Sequence, residues 1–411
     1  MFAFVARQPI LTCQKDVYAY ELQFRDGKAG TYPEPASANV KALTEQFNPL
    51  GLDDLSGEKT SFISFSPDTV ISRFPTTLNP EQVVVQLTGL TSLPPGLPEA
   101  LKHIKQLGFK LALDDPMMRN QQAELLNLAD IVKVDASRLS VNHIEDRIGQ
   151  YKDADVSLIA DNVASQSLFS ECMKAGFDYF QGYFFAQPES RLARKLPASK
   201  MNLIDLMSES ASEEFDLDRI NQIIERDAAL SFLLLKFINN PAINKRYQIT
   251  SLKHALNYMG EVEIKKFIAL LSVTQMGDDK PLELIHMSLV RAKFFDLLSQ
   301  QRKQHTNPPI GFLVGLFSLL DALLDQDMPS IIKQLPLTDE VNDALLGKSN
   351  EFNHYIVLVR AFESALWSNV VKHSKALETD QKTLHALFNQ AIVWGNSVRR
   401  TLSSHFPSAR S

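Results

Sequence analysis

Short apolar runs that end in polar residues recur through the first half of the chain. Helix-type stretches such as 98–108 and 120–130 separate them. Alternating strands and helices of these lengths predict βα units with a parallel sheet, closed as a barrel or doubly wound. The runs are TSFISFS (60–66), VVVQLTG (83–89), KLALDD (110–115), IVKVDAS (131–137), SLIADN (157–162) and YFQGYFF (179–185).

The opening of the chain has a different pattern. FVARQPIL (4–11) and DVYAYELQFR (16–25) are alternating apolar runs joined by a polar turn near Thr12–Lys15. That spacing predicts a β-hairpin leading into the barrel. In a βα barrel, chemistry lies at the carboxyl ends of the strands, so the polar residues there are candidate site residues.

From about residue 201 the pattern changes to helical periodicity, and no strand pattern is found. Asp216 or Asp218 is expected to cap the first of these helices. The sequence therefore predicts an α/β domain over 1–195, a TIM-like βα barrel, followed by an all-α bundle over 200–411. The predicted helices span 217–239, 251–258, 261–275, 282–300, 311–325, 352–372 and 379–403.

Composition narrows the class of partner. The net charge is −6. Residues 1–200 contain 20 basic and 24 acidic residues, and residues 201–411 contain 22 basic and 24 acidic residues. Neither half has a basic surplus, which argues against nucleic acid or an anionic membrane as the main partner. The N-terminus lacks a secretory-signal pattern, no apolar run is long enough to span a membrane, and Cys13 and Cys172 form no spaced motif. A cytoplasmic protein is expected.

Several motifs of the first half resemble those of EAL-type cyclic di-GMP phosphodiesterases. Gln8-Pro9, Glu21 and Arg25 resemble the opening of that family, and ALDD, IVKVD and GFDYFQGYFFAQP (176–188) follow in the family's order. The resemblance implies a βα barrel with an irregular first strand, and hydrolysis of a phosphodiester by metal-activated water with two divalent cations. It implies the following roles: Glu21, Asp114 and Asp115 as metal ligands, Lys133, Asp161 and Gln181 as catalytic-site residues, and Gln8 and Arg25 as nucleotide-binding residues.

The chain departs from that family's pattern at the metal site. Ser64 stands where the family has asparagine, and Gln86 stands where it has a metal-binding glutamate. Asp161–Ala164 replaces a Glu-Gly-Val-Glu segment, and the loop after the aspartates reads Pro116–Arg119 instead of Phe-Gly-x-Gly. Mg²⁺ requires near-ideal oxygen coordination. We therefore expect no metal at Glu21, Ser64, Gln86, Asp114 and Asp115, no hydrolysis, and Mg²⁺ or Mn²⁺ as a cofactor only if the site is still active.

The second half resembles the HDOD domain, which is similar to metal-dependent HD phosphohydrolases but lacks their ligands. The resemblance lies mainly in 218–260, with Asp227, Asn239-Asn240-Pro241 and Met259-Gly260, and extends to GFLVGLFSLLDALL (311–324). None of the nine histidines is followed by Asp, and Ser318 stands where a His-Asp pair would begin. No metal is expected in this half. The resemblance implies contact with a protein partner or self-association.

The favoured hypothesis is a non-catalytic protein of the cyclic di-GMP network that affects motility or biofilm formation. A second hypothesis is a weakly active cyclic di-GMP phosphodiesterase, against which Ser64, Gln86, Asp161 and Ala164 argue. A third is a non-hydrolysing cyclic di-GMP receptor, in which the planar guanidinium of Arg25 pairs with a phosphate. Asp26, which replaces the family's tryptophan after that arginine, argues against the third.

Overall fold

The first half of the chain folds as a closed eight-stranded barrel. The computed structural model describes residues 5–24, 52–88, 93–115, 123–139, 141–151, 154–188, 201–225, 232, 234–236, 238, 239, 248–277, 280–304, 306–335 and 337–403. The strands pair in sequence order around the barrel, from β1 to β8 and back to β1. They are β1 Val5–Thr12, β2 Val17–Phe24, β3 Thr60–Phe65, β4 Val83–Leu87, β5 Lys110–Asp114, β6 Ile131–Asp135, β7 Ser157–Asp161 and β8 Tyr179–Gln181.

The first strand runs against the others. β1 is antiparallel to both β2 and β8, whereas each neighbouring pair from β2 to β8 is parallel. The Lys15 amide donates to the Thr12 carbonyl at 2.9 Å, in the turn that the polar residues predicted. Closure of the sheet excludes the doubly wound alternative and confirms the predicted TIM-like barrel with an irregular start.

The helices between the strands are short and buried on one face. In α3 (Leu97–Gln106), the buried residues Leu97, Ala100, Leu101 and Ile104 follow helical spacing. α6 (Gln166–Ala175) begins where Ser165 Oγ accepts from the Leu168 amide at 3.2 Å and ends at Gly176 with φ 104°. The described helices of this half are α1 Leu52–Ser56, α2 Pro67–Ile71, α3 Leu97–Gln106, α4 Ala123–Leu126, α5 Val141–Gly149 and α6 Gln166–Ala175.

One buried apolar layer fills the barrel interior. Each of the first seven strands contributes one side chain to it, and Tyr18 and Tyr179 pack against it. Because side chains two residues apart on a strand share a face, the residue two positions along each strand points into the same interior. The layer consists of Ile10, Ala19, Phe62, Val84, Ala112, Ile131 and Ile159.

The described part of the second half is helical. α11 (Leu282–Gln301) and α12 (Ile310–Phe317) lie so close that a Cβ added at Gly315 would be 2.5 Å from the Arg291 carbonyl oxygen. Glycine at this position therefore permits the approach of the two backbones. The helices are α7 Met201–Ala211, α8 Leu217–Glu225, α9 Leu252–Met259, α10 Glu261–Met276, α11 Leu282–Gln301, α12 Ile310–Phe317, α13 Leu320–Leu324, α14 Met328–Ile332, α15 Asp339–Leu345, α16 Glu351–Glu363, α17 Trp367–Ala376 and α18 Gln381–Ser403.

Two predicted helices are each divided in the structure. The predicted 311–325 helix is interrupted at Ser318, whose hydroxyl donates to the Gly315 carbonyl at 2.8 Å, an alternative to continuing the helical ladder. The predicted 352–372 helix is interrupted at Ala365, whose φ of 53° lies outside the helical region. The predicted 217–239 helix is described from Leu217 to Glu225, and 226–231 lie outside the described residues.

The chain divides into two compact units. One contains the described residues up to Phe185 together with Ala361–Ser368, and the other contains Ala186–Arg360 and the residues from Asn369 on. Since 189–200 lie outside the described residues, the boundaries at 195 and 200 stay a prediction. Among the described residues, no helix has both the length and the apolar character needed to cross a membrane.

The N-cap of α8 is Asp216 rather than Asp218. Asp216 Oδ1 accepts from the Arg219 amide at 2.9 Å, whereas Asp218 lies in the first turn. We expect Asp216→Ala to lower the free energy of unfolding by about 1 kcal/mol through loss of the cap. Asp218→Ala, the matched control, should lose only about 0.3 kcal/mol of helix-dipole stabilisation. Urea unfolding monitored by circular dichroism measures both, and equal losses would contradict the assignment.

Candidate functional site

Above the apolar layer, each strand contributes one polar side chain to a second interior layer. On β2 to β7 this side chain stands two residues after the apolar-layer residue of the strand, and on β8 it stands two residues after Tyr179. On β1, which runs in the opposite direction, it stands two residues before Ile10. The same period of two explains why all eight face the interior. We call this set the polar layer: Gln8, Glu21, Ser64, Gln86, Asp114, Lys133, Asp161 and Gln181.

Glu21 is the centre of the polar layer. It is 4% exposed, and both of its carboxylate oxygens accept hydrogen bonds from other strands. Oε1 accepts from Gln86 Nε2 at 3.2 Å. Oε2 accepts from Lys133 Nζ at 2.8 Å and from Gln181 Nε2 at 2.5 Å. The Glu21 carboxylate is therefore occupied by protein donors on both oxygens.

Lys133 neutralises the carboxylates around it. Its ammonium forms an ion pair with Glu21 and lies 3.4 Å from Asp161 Oδ2. Burial alone lowers the pKa of Lys133, but the charges of Asp161 and Glu21 outweigh it, so the net direction is upward. Burial likewise raises the pKa of Glu21, and the Lys133 charge reverses this to a net decrease. The pair is a charged, hydrogen-bonded ion pair in the barrel interior.

The pKa values of the other two carboxyl groups of the polar layer, those of Asp114 and Asp161, are raised, whereas the pKa of Glu21 is lowered. Burial, the largest cause, raises the pKa of Asp114 to about 7, with Lys133 opposing the shift and Glu21 and Asp161 adding to it. Burial also raises the pKa of Asp161, whose Oδ1 accepts from the Asn162 amide at 2.8 Å. In the part of the chain that the structure describes, no three His, Cys, Asp or Glu side chains form a group that could hold a metal ion.

The shift at Asp114 makes stability depend on pH. Between its ordinary pKa of 3.8 and about 7, the native state keeps a proton that the unfolded chain has lost, so the free energy of unfolding falls as pH rises. The full linkage is about 4 kcal/mol, and residual solvent contact reduces it to about 2 kcal/mol. We expect Asp114→Asn to gain about 2 kcal/mol at pH 8 and little at pH 4. Urea unfolding at both pH values checks this, and a gain equal to that of exposed Asp155→Asn would contradict it.

Asp115 faces away from the polar layer. It follows Asp114 by one residue, and consecutive strand positions point to opposite faces. Its Oδ2 accepts from Arg147 Nε at 2.9 Å, its Oδ1 accepts from Tyr151 Oη at 2.5 Å, and Arg147 Nη2 also donates to Oδ1. The structure therefore separates the two aspartates that the sequence grouped as metal ligands.

Gln8, a predicted nucleotide-binding residue, is engaged within its own unit. Its Oε1 accepts from Gln181 Nε2 at 3.0 Å and from Gln23 Nε2 at 3.4 Å. Its Nε2 donates to the Glu363 carbonyl at 3.4 Å, and Glu363 belongs to the segment that clusters with the barrel. Arg25, the other predicted nucleotide-binding residue, lies outside the described residues.

Most of the predicted site residues lie together in the polar layer. Glu21, Gln86, Lys133, Asp161 and Gln181 are linked by hydrogen bonds or ion pairs. Ser64 is buried on β3 beside Gln86, with which it is paired in register. Ala164 is exposed in the loop after β7, and 116–119 lie outside the described residues.

Three further residues support this arrangement and were not identified from the sequence. Gln23 bonds to Gln8, and Arg147 and Tyr151 bind Asp115. Arg147 lies on α5 and Tyr151 follows four residues later, just after the end of the helix. A spacing of four residues puts both side chains on one helix face. That spacing was the available signal for a partner of a buried carboxylate.

Ser318 stands where a His-Asp pair would begin, and its side chain is hydrogen-bonded within the helical unit. Ser318 Oγ accepts from Arg291 Nη1 at 3.0 Å, and both residues are buried. His286 is fully buried on α11, with its Nδ1 3.4 Å from Glu283 Oε1. Burial raises the pKa of Asp321, which Arg360 and Arg291 lower in part.

Comparison with known proteins identifies the family. The EAL domain model matches residues 60–188 and the HDOD domain model matches residues 196–320. The uncharacterized protein YuxH of Bacillus subtilis is 31% identical over 408 residues, 97% of this chain and 99% of its own length. The cyclic di-GMP phosphodiesterase CdgJ of Vibrio cholerae is 31% identical over 406 residues, 97% of this chain and 94% of its own. The chain belongs to the family of two-domain EAL–HDOD proteins, which confirms the resemblance seen in the sequence.

One solved structure is also similar to part of this chain. The EAL domain protein from Listeria monocytogenes is 22% identical and covers 49% of this chain and 91% of its own, with a TM-score of 0.35.

Proposed function

We propose that this protein acts in a cyclic di-GMP signalling network without hydrolysing the dinucleotide. The observation that supports this most is the occupation of both Glu21 carboxylate oxygens by Lys133, Gln86 and Gln181. A divalent cation would have to displace these donors and compete with the Lys133 ammonium for the same carboxylate. Without two such cations the attacking water and the leaving oxygen are not activated.

The substitution at Gln86 supports the same proposal. A glutamate there would present an anionic oxygen, whereas Gln86 directs its amide nitrogen at Glu21. Mg²⁺ takes oxygen ligands in a strict octahedral arrangement, and an N–H group pointed into the site repels it. Residues Glu21, Asp114 and Lys133 then serve the packing and hydrogen bonding of the barrel.

A weakly active cyclic di-GMP phosphodiesterase is the second candidate. It is favoured by the relative CdgJ, which carries that name and aligns with 97% of this chain. A non-hydrolysing receptor is the third, with Gln8 and Arg25 as the binding residues. In the receptor, Gln8 must release at least one of its three hydrogen bonds in the barrel unit.

Calorimetric titration of the full chain with cyclic di-GMP, with and without Mn²⁺, separates receptor from scaffold. If the barrel is a scaffold, no heat of binding is expected in either condition. Saturable binding without Mn²⁺ that is lost in Gln8→Ala would establish the receptor instead. Binding that requires Mn²⁺ would favour the phosphodiesterase.

The helical unit is proposed to contact a protein partner or a second copy of this chain. Support comes from the match of residues 196–320 to the HDOD domain, a resemblance that implies such contact, and from the hydrogen bond that occupies Ser318. Sedimentation velocity of the full chain across a hundredfold concentration range tests self-association. A concentration-dependent sedimentation coefficient would support the second copy, and a constant monomer value would leave a different protein as the partner.

A further inference from the structure

Two histidines of consecutive helices face each other in the helical unit. His354 Nδ1 on α16 lies 3.2 Å from His373 Nδ1 on α17. The ring centroids are 5.4 Å apart and the ring planes are inclined at 52°. Both residues are half-buried, so the pair is accessible to an ion from solvent.

These separations match the spacing of two imidazole ligands on one metal ion. Zn–N bonds of 2.0–2.1 Å at a tetrahedral angle place the two nitrogens about 3.3 Å apart. With the same geometry, the two ring centroids stand about 5.3 Å apart. The separations of the two Nδ1 atoms and of the two rings are therefore already close to those that a shared ion requires.

We propose that His354 and His373 form a two-imidazole binding site for a transition-metal dication such as Zn²⁺, Ni²⁺ or Cu²⁺. Water completes the coordination. Imidazole nitrogen suits these borderline ions, whereas Mg²⁺ and Mn²⁺ prefer oxygen ligands. The site is independent of the polar layer of the barrel and links α16 to α17.

The protonation state of the pair agrees with metal binding. Burial lowers the pKa of His373, and the neighbouring His354 and Lys372 lower it further. A neutral imidazole is the form that ligates a metal. In the absence of a metal, the two nitrogens share one N–H···N hydrogen bond, which the ion replaces.

Titration of the full chain with ZnCl₂ in a non-chelating buffer tests the site. The parent chain is expected to bind one equivalent of Zn²⁺. The double variant His354→Ala/His373→Ala is expected to lose this binding. Each single variant should weaken the affinity by at least about tenfold, because loss of an outer-shell partner already costs 10–100-fold. His103→Ala, which removes an exposed histidine of α3, is the matched control and should bind as the parent does.

A spectroscopic measurement on the parent chain does not depend on the folding of any variant. Cu²⁺ bound at one equivalent should show nitrogen hyperfine splitting from two imidazoles in its electron paramagnetic resonance spectrum. One nitrogen or none would overturn the proposal. So would Zn²⁺ binding of unchanged affinity in the folded double variant, or no Zn²⁺ binding by the parent chain at micromolar concentration.

Discussion

Replacing Lys133 by alanine is expected to lower the free energy of unfolding by about 3–5 kcal/mol, because removal of one partner leaves a buried charge uncompensated. The Lys133 side chain is 7% exposed and that of Glu21 is 5% exposed, so water does not replace the lost ammonium. Asp161 loses the same counter-charge. Urea unfolding followed by circular dichroism at pH 7 measures the loss.

A double variant separates charge from packing. In Lys133→Met/Glu21→Gln the buried ion pair is removed as a whole, and part of the lost stability should return, whereas Asp161 stays without its counter-charge. The exposed ion pair of Lys348 with Asp343 is the comparison, since Lys348→Ala should change the free energy of unfolding little. If Lys133→Ala is as mild as Lys348→Ala, Lys133 does not neutralise the polar layer.

The second large effect is expected at Gln86. Gln86→Glu replaces the donor to Glu21 Oε1 with a second carboxylate about 3 Å away, inside the barrel. Without metal, we expect a loss of about 2–3 kcal/mol, since the buried Glu21 oxygen loses its donor and gains a like charge. Millimolar Mn²⁺ should recover part of that loss, because two carboxylates that share a dication no longer repel each other.

Gln82→Glu provides a matched control. Gln82 Nε2 donates to the Asp53 carboxylate at 3.0 and 3.1 Å near the start of the same strand, but in an exposed setting. There the same chemical change should alter the free energy of unfolding by no more than about 0.5 kcal/mol and show no response to Mn²⁺. Equal effects at the two positions would show that burial of Glu21 does not decide the outcome.

The polar layer can be predicted from the sequence, because side chains two residues apart on a strand point to the same face. Gln86, Asp114 and Asp161 stand at the ends of apolar runs, and a parallel barrel brings such ends together. The same period also places Asp115 on the outer face. Grouping it with Asp114 by motif missed this, although the alternation of side chains was available in the sequence.

Other features depend on tertiary structure and were not predictable from local pattern. Which side chains donate to Glu21 depends on which strands close the barrel. Gln181, which donates to both Glu21 and Gln8, lies 160 and 173 positions from them in the chain. The break between α16 and α17 rests on the positive φ of Ala365, a residue type that gives no local signal for such a conformation. The division at Ser318 depends on a side-chain bond to the backbone that competes with the helix.

We propose that the occupied polar layer does not support hydrolysis of cyclic di-GMP. The most direct measurement is chromatographic detection of the linear product after incubation of the full chain with cyclic di-GMP and Mg²⁺ or Mn²⁺, beside Glu21→Ala. Product is expected at the same background level for both proteins. Product from the parent chain that disappears in Glu21→Ala would contradict it and establish the protein as a working phosphodiesterase.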